Sequence, residues 1–146
     1  MQQQQQKHKG QRNKRQRHQA AIRKGVAFAD GAGATRVDRL ANLIGDIEQN
    51  LRDAGDRNVS PAEVARRLSK RLDDSSDFKG LVVPGTKALR IESLDGPALF
   101  LVAYGMVVWF RNKKKGRKVE DRDIDEAADD AEKDGTPDIN DLDEDD

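Results

Sequence analysis

Residues 97–110 read PALFLVAYGMVVWF, apolar or aromatic throughout except for Gly105 and the phenol hydroxyl of Tyr104. They stand in a chain that is 37% charged, and a basic run, RNKKKGRK, follows at once at 111–118. Three states suit such a stretch. As a central strand it is apolar on both faces and needs cover on both. As a core helix it starts well, with Asp95 or Gly96 at the cap and Pro97 early, but Gly105 and the run Val107, Val108, Trp109, Phe110 weaken it. As a membrane helix its residues reach only about 21 Å, against a hydrocarbon core of about 30 Å. Snorkelling of Arg111 and Lys113, with Trp109 at the interface, would make up the shortfall and leave the basic run on the cytoplasmic side. So short an apolar run belongs more often to a buried core than to a span, and the expectation is a core strand.

The neighbouring segments supply its context. Residues 87–94 alternate, with Leu89 and Ile91 on one side and Arg90 and Glu92 on the other, which predicts a strand. The turn residues Asp95, Gly96 and Pro97 then make 88–110 a hairpin. A shorter β-branched run, residues 81–83, ends at Pro84 and Gly85. Further back, Val37, Leu40, Leu43, Ile44, Ile47 and Leu51 fall at helical spacing and predict a helix over 36–54, capped by Thr35 and stopped by Gly55. A second helix, over 61–72, is announced by Ser60 at the cap, Pro61 at the first helical position and Glu63 three residues after the cap. Its inner stripe is Val64, Leu68 and Leu72.

The zero net charge of the 146 residues hides a separation of sign. The first 29 residues carry eight Lys and Arg and no acid, and residues 119–146 carry fifteen Asp and Glu against Arg122 and Lys133. Residues 2–17, rich in glutamine, have no apolar residue to offset the entropy of ordering and read as a disordered basic arm; residues 19–28 suit a short helical extension, interrupted by Gly25 and followed by the Gly/Ala linker at 31–34. The acidic end reads as a disordered tail with a nascent helix over 125–132. A basic arm contacts polyanions by counterion release without reading sequence; alternatively it is a solubilising segment, or folds back on the acidic tail. The arm carries no aromatic side chain among its cations on which a single strand would stack. No apolar segment follows its charges, as a secretory signal requires.

Specific chemistry is scarce. There is no cysteine, which excludes disulfides and thiolate sites. His8 and His18 both lie in the arm, where a general base is not held in reach of a nucleophile. Paired carboxylates such as Glu92 with Asp95, or Asp73, Asp74 and Asp77, read as surface acids and caps. Asp121, Asp123, Asp125, Asp129 and Glu132 match ligand positions of a calcium-binding loop, but Glu126 stands where the turn needs glycine. Residues 80–87, GLVVPGTK, are similar to a phosphate-binding loop with its last two positions reversed, yet a helix precedes and a strand follows, the opposite of what that loop needs. The string SPAEVARRLSKRL at 60–72 resembles the first helix of a helix-turn-helix unit. That resemblance implies a recognition helix after a short turn, whereas DDSSDFKGLVVPG follows.

The sequence thus predicts an α+β protein in which two amphipathic helices pack on a small antiparallel sheet. Residues 1–34 form the arm and a Gly/Ala linker, 35–112 the domain, and 113–146 the basic cluster and acidic tail. The expected role is a non-enzymatic accessory, assembly or regulatory one without cofactor or metal, binding nucleic acid or an acidic protein surface in the cytoplasm. The candidate contacts are Lys7, Lys9, Arg12, Lys14, Arg15, Arg17, Arg23 and Lys24 in the arm, Arg66, Arg67, Lys70 and Arg71 on the second helix, and Arg111, Lys113, Lys114, Lys115, Arg117 and Lys118 after the apolar stretch. A strand apolar on both faces also favours a homo-oligomer. The rival expectation is a single-pass or monotopic membrane protein anchored by 97–110. Its layout resembles small phage or bacterial envelope proteins.

Overall fold

Residues 97–110 form a helix. The structure, a computed structural model, describes residues 12–74, 78, 82–83 and 89–142. Among these are five α-helices: α1 Lys14–Asp30, α2 Ala34–Asp53, α3 Pro61–Asp74, α4 Gly96–Lys114 and α5 Asp121–Lys133. A two-stranded antiparallel ribbon, β1 Val82–Val83 with β2 Leu89–Arg90, and a 3-10 turn Ile91–Ser93 lie between α3 and α4. Val82 pairs with Arg90 and Val83 with Leu89. The 88–110 hairpin is therefore corrected: of its described first arm only Leu89 and Arg90 pair with 82–83, Ile91–Ser93 is the 3-10 turn, and its second arm is α4.

The local signals at the start of α4 are those of a helix. The Asp95 carboxylate accepts the amide of Ala98 at 2.9 Å, and Pro97 occupies the first turn, where its missing N–H costs nothing. From Ala98 to Val107 every residue is buried, as are Trp109, Phe110 and Asn112. A helix apolar on all sides is stable when neighbours surround it, and here α1, α3 and α5 do so. Strand propensity in the second half yields to this packing. No helix among the described residues is long and apolar enough to cross a membrane.

Gly105, which counted against a helix, is what lets α4 meet α1. A Cβ built on Gly105 would lie 2.0 Å from the carbonyl oxygen of Ile22, and one on Gly25 would lie 1.9 Å from that of Val102. The two helices touch backbone to backbone at this glycine pair, a contact available only where side chains are absent.

The basic arm and the acidic tail are structured from Lys14 and through Lys133, contrary to the disorder expected of both. Asn13 caps α1 by accepting the Gln16 amide at 2.8 Å, and the Gln16 side chain accepts the Asn13 amide at 3.0 Å. His18, Ala21, Ile22, Gly25, Phe28 and Ala29 recur at helical spacing and are buried. Ile124, Ala127, Ala128 and Ala131 form the inner stripe of α5, and Ile139 and Leu142 beyond it join the same core. The core thus extends on both sides of 35–112. Only the 125–132 helix was anticipated in the tail, and it begins at Asp121.

The two amphipathic helices have the expected bounds within two residues, but Thr35 does not cap α2: the helix starts at Ala34 with Gly33 at the cap position and no side-chain cap. α2 buries Leu40, Ile44, Ile47 and Leu51, and Gly55 follows it at φ 101°. In α3 the Ser60 hydroxyl accepts the Glu63 amide at 3.3 Å, and Val64, Leu68 and Leu72 face inward. Among the described residues no second helix follows α3 by a short turn, the next element being β1, so the helix-turn-helix resemblance is carried by α3 alone. The premise for a homo-oligomer, a strand needing cover on both faces, falls with that strand.

Candidate anion-binding surface

The cations expected to bind a partner divide into two groups. Lys7 and Lys9 lie outside the described residues. Along α1, Arg15, Gln19 and Arg23 stand four residues apart and face Asp129, Asp125 and Asp121 of α5, which descend by the same step. The helices run antiparallel and the rungs match. Arg15 donates to the Asp129 carboxylate and, at 3.2 Å, to the Asp125 carbonyl. The Gln19 amide donates to Asp125 at 2.6 Å, and Arg23 donates to Asp121 at 2.9 Å.

The segment after α5 continues the pairing. Arg17 grips Asp138 through two nitrogens at 2.7 and 2.8 Å, a fork geometry suited to a carboxylate. Arg12 lies 3.4 Å from Asp141. The imidazole Nε2 of His18, buried in α1, donates to the Pro137 carbonyl at 2.9 Å. Lys24 is buried, and Lys14 opens α1. The hydrogen bond from Arg17 holds the Asp138 carboxyl down at about 2, and the one that Arg15 donates to Asp129 raises the Arg15 guanidinium above its ordinary value.

On α3, Arg66 donates to Asp134 and, at 3.3 Å, to Glu63, and its guanidinium stands 5.8 Å over the Phe100 ring. Arg67 reaches Glu63 at 3.2 Å. Beyond them Lys70 and Arg71 line a groove of about 370 Å³ between α2 and α3, with Ile47 and Asn50 on the other wall. Arg111 is engaged inside the fold, donating to the nearly inaccessible Glu48 at 3.1 Å and to the Val59 carbonyl at 2.9 Å.

The rest of the 111–118 run differs. Among the described residues no carboxylate lies within ion-pair distance of Lys113, Lys114, Lys115, Arg117 or Lys118. The ammonium nitrogen of Lys113 stands 5.7 Å from the Trp109 ring centre and that of Lys114 5.4 Å from that of Phe110, within the range of a cation–π attraction. The helix C-terminus favours cations there as well. Gly116, at φ 71°, turns the chain toward α5. A crevice of about 520 Å³ opens beside it, lined by Val26, Asp30, Trp109, Lys113, Arg117 and Lys118 among others. Its floor is held by Trp109, whose indole N–H donates to Asp30 at 2.9 Å.

No group of three or more His, Asp or Glu able to hold a metal occurs among the described residues. The calcium-loop match lies on α5, where Asp121, Asp125, Asp129 and Glu132 are strung along one face of a helix toward α1 instead of converging on a turn around one ion. Asp95, a carboxylate considered for catalysis, caps α4. The phosphate-loop match at 80–87 falls outside the described residues except for Val82 and Val83.

Sequence reasoning offered the fold-back of the basic arm on the acidic tail only as an alternative, and did not identify which acids of α5 meet which residues of α1. Their signal was the shared four-residue spacing of Arg15, Gln19 and Arg23 with Asp121, Asp125 and Asp129, readable only once both segments are taken as helices. Comparison with models of protein families, with curated proteins and with solved structures found no match.

Proposed function

We propose that this chain is a non-enzymatic accessory module, of an assembly or regulatory kind, that holds a polyanion on its basic surface, nucleic acid ahead of an acidic protein. The observation that supports this reading is the cluster Lys113, Lys114, Lys115, Arg117 and Lys118 at the end of α4, which has no acidic partner among the described residues. Internal ion pairs occupy most of the other candidate cations. Lys70 and Arg71 on α3 make a second, smaller patch. Trp109 is too buried to stack on bases, so contact rests on phosphates and is insensitive to sequence.

The test is titration of a short mixed-sequence DNA duplex across a salt series. The logarithm of affinity falls linearly with that of salt, at about 0.9 per phosphate neutralised. Replacing Lys113, Lys114 and Lys115 with Gln flattens that slope by up to about 3 and weakens binding at low salt. Absence of duplex binding at low salt refutes the reading. So does binding left unchanged when these lysines, Arg117, Lys118, Lys70 and Arg71 are all neutralised.

A further inference from the structure

The pairing of α1 with α5 carries an inference about regulation of the same binding, and it rests on the reading above. We propose that α5 is an internal competitor for polyanion: its acids neutralise a second row of cations, on α1, that an external polyanion can take over.

Three observations carry this. First, the cations at Arg15 and Arg23 and the acids at Asp129, Asp125 and Asp121 form a matched antiparallel ladder with steps of about 6 Å, the rise of four helical residues. Such a row of anions is what a nucleic-acid backbone also presents. Second, the ladder is separate from what holds α5 in place. Its apolar stripe, Ile124, Ala127, Ala128 and Ala131, is buried against the core, and its first turn is fixed by Glu120 and Asp123 capping each other's amides. Third, the paired side chains are reachable without moving α5. The Arg15 side chain is 35% exposed and that of Arg23 51%, with Asp121 at 87%. An external phosphate need only displace a carboxylate, at the modest cost of an exposed ion pair.

The alternative is a ladder that serves folding only, and the two separate experimentally. The variant Asp121→Asn, Asp125→Asn, Asp129→Asn and Glu132→Gln removes the charges that face Arg15 and Arg23 and leaves the apolar stripe and the cap intact. Titrated with the same DNA duplex from about 50 to 200 mM salt, it is expected to bind at least about tenfold more tightly at the low end, with a slope steeper by about 1.8, for two phosphates gained. Adding Arg15→Gln and Arg23→Gln to this variant returns the slope to its original value.

An unchanged slope, or a gain that survives the two arginine substitutions, overturns the proposal. Should circular dichroism show that the multiple variant is unfolded, Asp121→Asn alone decides. This acid is almost wholly exposed, and its removal frees Arg23 for one phosphate, a slope change of about 0.9; no change overturns the proposal. The outcome stands apart from that of the proposed function. A wild-type chain that fails to bind, beside a variant that binds through Arg15 and Arg23, refutes the α4 cluster and keeps the α5 competitor.

Discussion

Replacing Gly25 with Ala tests the packing on which the whole fold depends. The new methyl carbon would stand 1.9 Å from the Val102 carbonyl oxygen, 2.9 Å from its carbon and 3.0 Å from the Gly105 Cα. A carbon–oxygen contact needs about 3.3 Å, so α1 and α4 must part by more than about 1 Å along their most intimate contact. All the opposing atoms are backbone, so no rotamer change relieves the clash. Overpacking of this kind costs about 1–3 kcal/mol or more, and the better helix propensity of Ala returns about 1 kcal/mol. A net loss of about 2 kcal/mol is expected, or about 4–8 °C in Tm for a chain of this size. Urea unfolding followed by far-UV circular dichroism measures it as a lower midpoint at unchanged slope. Gly105→Ala behaves alike, with its methyl 2.0 Å from the Ile22 oxygen. The double variant loses less than the sum, because one separation accommodates both methyls. Gly45→Ala is the control: its methyl meets only the Phe110 ring edge at 3.8 Å, so propensity dominates and the chain gains up to about 1 kcal/mol. If Gly25→Ala stabilises the chain as Gly45→Ala does, the backbone contact is refuted.

Three further outcomes follow from single side chains. Arg111→Leu leaves the Glu48 carboxylate, 3% exposed, with only Arg52 at 3.5 Å; a loss of about 3 kcal/mol is expected in urea unfolding, and Arg111→Leu with Glu48→Leu recovers part of it. Tyr104, the only tyrosine, is buried and donates to Asp130, and both effects push its phenol above its ordinary value of 10.0. Its contribution to stability is therefore complete below about pH 10 and is lost as the pH rises further; ultraviolet difference absorbance should show phenolate only as the chain unfolds, and Tyr104→Phe should remove this alkaline dependence. Asp138, held down at about 2, contributes above its ordinary 3.8 and loses that contribution as the pH falls toward 2. Acid unfolding of Asp138→Asn should be shallower in that window, by a small amount because the pair is exposed.

The sequence by itself determined α2 and α3, where apolar residues at helical period, the Ser60 cap and Pro61 all give one answer. It also determined the separation of charge and the absence of thiol chemistry. For α4 it could not decide, since a stretch apolar on every side has no period to read, and Gly105 counts against a helix until a second helix lies across it. For α1 the buried face is made of His18, alanines, Gly25, Ile22 and Phe28, whose mean hydropathy is too low to outweigh the Gln, Lys and Arg around them. Tertiary structure decided both at once: α4 is a helix because α1, α3 and α5 surround it, and α1 is a helix because Gly25 meets Gly105. The fate of the cations was decided in the same way. Lys113 to Lys118 remain at a helix end, as a basic run suggests, whereas Arg15, Arg17 and Arg23 meet carboxylates some hundred residues away in sequence. Charge patterns record what each segment carries, and only the packing of apolar faces determines which segments lie side by side.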